Sequence, residues 1–454
     1  SGSAMVALRL PSGPEGDMRR IFVIGGLVLV LLGAADFFGR RWDFTTSQPP
    51  VDFELNWVAA HRLVHRQPVY DRPASRADGF RLVGPDIIPD FSLHGTYASF
   101  IGTPATALLY APYTLFDHDV AAALYRWTQA LLMVVAIAIT GFALPRRSRL
   151  PAWLAGSAAF FWFYPVQESL GLGQVDGFIM VALAIAYWAT VRERWRVVGA
   201  AIGFAALLKI SPGLLLVYLV LRGRRRVVLP AVVTAAVLLA AAAAVGRPGD
   251  LVTWITKVAP KLSRGGLLVN NQALPAWMAR LFGHDLSWMS LSAGLGAWRI
   301  LAPLVAVGGL ALVWCLRRGR ELVVLELGVL VFVALLAGPI SWDHYPTWGI
   351  LTLMLMADST WWEGRRRVEL VAIGVILASA TTLMHKLTLY PQPDVILGDW
   401  TRRIESGSKT VGLLAYLGVA LWLLARPVPR TGATEPGPRL AGDGLRTEGV
   451  HPHR

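Results

Sequence analysis

Two carboxylates, Asp52 and Glu54, stand just after Pro49-Pro50, at the start of Val51 to Val64, where apolar and polar residues alternate as on an amphipathic helix. On a partly dehydrated boundary, such a carboxylate is suited to take a proton from a hydroxyl that attacks a substrate. Acids in a first helical turn also complement the helix dipole, so spacing alone leaves both uses open. Asp343 and His344 lie in Pro339-Ile340-Ser341-Trp342-Asp343-His344-Tyr345-Pro346, between two apolar runs. They could serve a site, or simply tie two helix ends together.

Lys209 interrupts another apolar run beside Pro212, and Gln174 sits in a short polar turn. Either could bind a ligand or satisfy broken backbone. An ammonium at the depth of Lys209 needs a partner anion. Asn271 and Gln272 could bond a sugar or cap a helix. Phosphate-cradling loops, dinucleotide fingerprints and His-Glu metal motifs are missing from the sequence, so no cofactor is expected and no metal ligands are assigned, while a metal requirement stays open. With Cys315 as the only cysteine, neither an intrachain disulfide nor a multi-cysteine metal site can form.

The elements that hold these residues are membrane helices. Of 454 residues, 55% are hydrophobic and 16% charged, and apolar stretches long enough to cross a bilayer recur from Ile21 to about Leu424. The net charge of +14 is not a nucleic-acid signature. Its arginines fall in short clusters between apolar runs, such as Arg146-Arg147-Arg149, Arg192-Arg194-Arg196, Arg224 to Arg226 and Arg365 to Arg367, as cytoplasmic anchors do.

Charge parity then predicts an all-α polytopic transmembrane bundle with roughly 11 to 13 membrane segments and both termini cytoplasmic. Ser1 to Met5 reads as a cloning remnant, 1–20 as a cytoplasmic N-terminus, 21–425 as the membrane domain and 426–454 as a disordered tail. Residues 21–38 are expected to be a retained first span. The outer loops fall at about 40–97, 247–297 and 386–409, the second with helices lying on the membrane. Segment 98–116, broken by Pro104 and Pro112, is expected to be interfacial or re-entrant. Residues 197–221 should form two broken helices, or a hairpin entering from inside with Lys209 near its tip. Residues 345–361 are expected to cross. Lys257, Lys261, Arg264, Arg280 and Arg299, on the outer side, are assigned to lipid headgroups.

Five stretches together resemble glycosyltransferase family 87. They are Asp52 with Ala59-Ala60 and Pro68-Val69-Tyr70-Asp71; Gly173-Gln174-Val175-Asp176; Leu208-Lys209-Ile210-Ser211-Pro212; Asn271-Gln272-Ala273-Leu274-Pro275; and Ile340-Ser341-Trp342-Asp343-His344. Their order spans residues 50 to 350. Gly102-Thr103-Pro104 replaces a common Tyr-Pro-Pro, and Ala273 stands where Ser is frequent.

The resemblance implies the GT-C fold with extracytoplasmic interfacial helices, as in mycobacterial mannosyl- and arabinofuranosyltransferases. It implies a polyprenyl-phosphate-sugar donor and a glycolipid or polysaccharide acceptor at the outer face of a bacterial plasma membrane. Asp52 is implied as catalytic base, with Lys209 and His344 near the donor phosphate. Glu54, Gln174, Asn271, Gln272 and Asp343 are then candidates for sugar contacts. A lipid or solute transporter would also use broken helices and buried charges, but the chain has no evident internal repeat.

Overall fold

The computed structural model describes residues 14–47, 50–83, 100–268, 270–282, 294–317, 323–358, 362, 367–384 and 403–426. Most of the expected third outer loop, the C-terminal tail and Ser1 to Met5 lie outside the described residues. Among those described, the chain is helical, with a single isolated antiparallel bridge between Asn271 and Trp342. Five helices are long and apolar enough to cross a membrane: Val23–Ser47, His118–Ala143, Arg225–Val245, Gly296–Leu316 and Ser408–Ala425. Shorter apolar helices, Asp176–Val191, Trp195–Leu208, Val323–Ala337 and Val368–Met384, pack among them.

In chain order the helices are α1 (Pro14–Asp36), α2 (Trp42–Ser47), α3 (Val51–Val64), α4 (Arg72–Leu82), α5 (Pro104–Tyr110), α6 (His118–Ala143), α7 (Arg146–Trp162), α8 (Tyr164–Leu172), α9 (Asp176–Val191), α10 (Trp195–Leu208), α11 (Gly213–Leu221) and α12 (Val228–Val245). There follow α13 (Pro248–Thr253), α14 (Ala259–Leu262), α15 (Leu274–Phe282), α16 (Leu301–Leu316), α17 (Val323–Ala337), α18 (Gly349–Met356), α19 (Arg367–Met384) and α20 (Ser408–Ala425).

α9 lies at the centre, packed along α6 and α10, and α10 in turn packs on α12. The α10–α12 crossing is close because Gly199 and Gly203 lie on the backbone of Val227 and Ala231, where a Cβ would collide. α17 is buried along its whole length between α16, α18 and α20. Trp348, Tyr110, Tyr125, Tyr187, Tyr218 and Tyr416 are the largest fully buried side chains among the described residues.

Lys209 stands where α10 stops and α11 has not begun, and the two helices pack together. Pro212 offers no backbone N–H and Lys209 takes an extended conformation, so the run turns back as a hairpin. Its feet are the Arg194-Arg196 and Arg222 clusters, so Lys209 lies at the end away from them. α9 has the same polarity, with Asp176 at one end and Arg192 at the other. Pro104 and Pro112 break the segment before α6 into α5 and a 3-10 turn, Ala111–Leu115, which is too short to cross.

Two expectations change. The first helix does not stop at residue 38: a π-turn, Phe37–Arg41, carries it on to Ser47, with Arg40 and Arg41 paired to Asp36. The described part of 345–361, residues 345–358, does not form one straight crossing. It gives a four-residue 3-10 turn, Tyr345–Trp348, and the eight-residue α18, which at about 1.5 Å per residue falls well short of a bilayer.

Candidate active site

α3 begins at Val51 because Pro50 cannot extend a helix backwards, and the Pro50 carbonyl accepts the Glu54 N–H at 2.9 Å. That sets Asp52 in the first turn. Asn56 reaches back to bond the Asp52 carbonyl, and the Asp52 carboxylate stays half-buried.

The turn after α8 meets it. Gly173 is left-handed, with φ of 72°, and the Gly173 and Gln174 N–H groups donate to Leu170 and Ser169 carbonyls, closing the helix end. A Cβ on Gly173 would lie 2.4 Å from that of Phe53, so glycine alone allows this turn against α3. Tyr110 and Tyr125 donate hydroxyl protons to the Gly173 and Gln174 carbonyls. So pinned, Gln174 donates from Nε2 to Asp52 Oδ2 at 2.6 Å.

Two residues on, Asp176 opens α9, where a carboxylate faces the positive end of the helix dipole. It is fully buried and is the anion that Lys209 needs: Lys209 Nζ donates to Oδ1 at 3.1 Å. Trp348 Nε1 donates to the same oxygen at 2.9 Å and Ser169 Oγ to Oδ2 at 2.7 Å. Lys209 also lies 3.1 Å from His344 Nε2 and 3.7 Å from the centre of the Tyr345 ring. An ammonium only donates, so the imidazole accepts at Nε2 and carries its proton on Nδ1. Burial, with the Lys209 and Lys409 charges, holds His344 well below the usual histidine range, in keeping with a neutral ring.

Burial likewise pushes the Asp52 carboxyl up, against the Gln174 hydrogen bond and the Lys209 charge, with Asp176 adding to the rise. The result is a raised-affinity base beside a lysine–histidine–aspartate cluster.

Four of the eight residues singled out from sequence, Asp52, Gln174, Lys209 and His344, belong to this connected set. The others are placed differently. Glu54 projects from α3 about 200° around the axis from Asp52 and is buried, neither oxygen hydrogen-bonded, with His118 Nε2 3.8 Å away. Burial, with the Asp52 charge, pushes it up to about 8, partly opposed by Arg126. Asp343 pairs with Lys409 at 2.8 Å.

Asn271 and Gln272 bond the chain itself. The Asn271 amide donates to the Gly266 and Pro339 carbonyls and accepts from the Ala273 and Ser341 N–H groups. Gln272 donates to the Ser406 carbonyl and accepts from Thr410. Arg280, expected at lipid headgroups, is buried and donates to the Leu268, Asn271 and Ser406 carbonyls. The sequence reading missed Asp176, Trp348, Glu168 and Lys409 as partners. Only Asp176 had a signal, the unpaired ammonium of Lys209.

Residues 100–339, more than half of the chain, match the model of glycosyltransferase family 87. The chain belongs to glycosyltransferase family 87. It is thus a glycosyltransferase built into a membrane helix bundle. The matched region contains Gln174, Asp176 and Lys209, while Asp52 and His344 flank it.

Among its relatives is the polyprenol-phosphate-mannose-dependent alpha-(1-2)-phosphatidylinositol pentamannoside mannosyltransferase of Mycobacterium tuberculosis, 26% identical over 79% of this chain and 77% of the relative. The M. tuberculosis phosphatidylinositol mannoside mannosyltransferase with the same donor is 25% identical over 75% of this chain and 80% of its own length. A Mycolicibacterium smegmatis pentamannoside mannosyltransferase is 27% identical over 66% and 69%.

Proposed function

We propose that this family 87 transferase moves a mannosyl unit from polyprenyl-phosphate-mannose to a hydroxyl of a glycolipid acceptor, on the extracytoplasmic side and with inversion. The observation that carries the reading is the Gln174-oriented Asp52 carboxylate beside the Lys209–His344–Asp176 cluster. Mannose is favoured over arabinofuranose by the names of the relatives, which also favour a phosphatidylinositol mannoside acceptor. The outer side is favoured because Asp176 and Lys209 lie at helix ends opposite the arginine clusters.

In the reaction, the acceptor oxygen attacks the anomeric carbon while its proton passes to Asp52, and the bond from that carbon to the phosphate oxygen breaks. Polyprenyl phosphate leaves with the electron pair. Lys209, already desolvated and aimed by Asp176, donates to the phosphate oxygens as charge gathers there, and His344 contributes its Nδ1 proton. One displacement inverts the centre. The lipid tail keeps the donor at the bilayer surface, so the protein need only align one carbon with Asp52.

The reading is tested by incubating purified protein in detergent with mannosyl and arabinofuranosyl polyprenyl phosphates and a phosphatidylinositol mannoside. Transfer from the mannosyl donor alone is expected. Arabinosyl transfer in its place would overturn the donor assignment.

A further inference from the structure

A second buried ammonium lies beside the first cluster and is held by the same two stretches of chain. Lys409, 3% exposed at the start of α20, contacts Glu168 Oε2 at 3.3 Å and Asp343 Oδ2 at 2.8 Å. Glu168 directly precedes Ser169, which bonds Asp176, and Asp343 directly precedes His344, which bonds Lys209. Each chain segment therefore sends one side chain to Lys209's cluster and its neighbour to Lys409's. The segment carrying Asp343 is also fixed from behind: the Ser341 backbone N–H donates to Asn271 Oδ1, the Ser341 carbonyl accepts from the Gln272 N–H at 2.6 Å, and Gln272 is tied to Thr410.

In this frame two buried side-chain oxygens, Ser341 Oγ and Asp343 Oδ1, have no partner, and of the two only the carboxylate oxygen must have a donor supplied to it. Asp343 is 4% exposed, its Oδ2 is taken by Lys409, and its Oδ1 has no hydrogen-bond partner. A buried carboxylate oxygen without a donor loses free energy unless something supplies one. The residue neighbours His344, and a pyranose hydroxyl is a donor of the right kind, since one ammonium already balances the carboxylate and the other oxygen need only accept. We propose that Asp343, aimed by Lys409 and Glu168, reads one hydroxyl of the transferred sugar, and that Lys409 is the positioning residue of this subsite. The inference rests on the mannosyl-donor reading above.

The test uses the full chain in detergent, the mannosyl polyprenyl phosphate donor and its four single-deoxy sugar analogues, with kcat/KM read for each. The wild type should discriminate against one analogue by about tenfold to hundredfold, the worth of a hydrogen bond to a charged group. Asp343→Asn, which leaves Glu168 to pair Lys409, should abolish discrimination at that position and keep it at the others. Lys409→Gln should do the same, and Lys409→Arg should restore it. Because Lys409→Gln risks misfolding, Asp343→Asn and Lys409→Arg carry the comparison, with unfolding temperatures measured on each.

Equal loss across all five donors would make the cluster merely structural and overturn the proposal. So would an Asp343→Asn protein that discriminates among the donors as the wild type does. Absence of wild-type transfer from the parent donor overturns the mannosyl reading itself, and with it this inference, before any variant is compared.

Discussion

Gln174 Nε2 donates to Asp52 Oδ2 at 2.6 Å, joining residues 122 positions apart. The contact exists because α8 ends in a glycine turn that lies directly on α3. It fixes which way the carboxylate faces.

Gln174→Ala should therefore lower kcat by about tenfold with little change in unfolding temperature, since positioning contacts commonly carry effects of that size. Gly173→Ala should be worse on both counts, because it forces a Cβ into Phe53 at a positive φ. Single-turnover rates and thermal unfolding in detergent distinguish the two. A Gln174→Ala enzyme with unaltered kcat would remove Gln174 from the site.

Asp176→Asn leaves the Lys209 ammonium buried without its anion, which should destabilise the fold by about 3–5 kcal/mol. The double variant Asp176→Asn with Lys209→Met should recover much of that stability and none of the transfer activity. Thermal unfolding checks the first statement and a transfer assay the second. Unchanged unfolding of Asp176→Asn would contradict the pairing.

The pH dependence follows from Asp52. Its carboxyl is pushed up chiefly by burial, and only the deprotonated form can accept a proton. Log kcat/KM should rise with pH along a limb centred above the ordinary aspartate value of about 3.9. Lys209→Met should move that limb higher still, because the positive charge that opposes the shift is gone. A wild-type limb centred below pH 4 would contradict the raised value.

Glu54 shows the opposite side of the same physics. Its value is about 8 in the folded protein against 4.5 ordinarily, so folding favours its protonated form. The stability it contributes is fully present below pH 4.5 and is lost as pH rises toward 8. Unfolding temperature should decline across that window in the wild type, and the decline should be smaller in Glu54→Gln, with transfer nearly unchanged. Equal slopes in the two proteins would show that Glu54 does not hold its proton.

Much of this was legible in the sequence. Apolar run length and the arginine clusters pointed to the helical membrane class, and Lys209 beside Pro212 marked a break in its run, as two broken helices or a hairpin. Other features were not legible, for identifiable reasons. Phe37–Arg41 has Gly39 followed by two arginines, which reads as a helix end, yet Asp36 pairs both arginines and the helix carries on. Asn271 and Gln272 have side chains that bond a sugar hydroxyl or a backbone group equally well. Only their placement against Ser341, Ser406 and Thr410 reveals the second use. Lys409 and Glu168 are 241 positions apart, and nothing local to either names the other.

The most direct test is the transfer activity of Asp52→Asn with a mannosyl polyprenyl phosphate donor, measured alongside membrane insertion and unfolding temperature. Asparagine keeps the shape and cannot take the proton. Transfer should fall by at least about a hundredfold with insertion and folding intact. Near wild-type transfer by a folded Asp52→Asn protein would contradict the role of Asp52 as base.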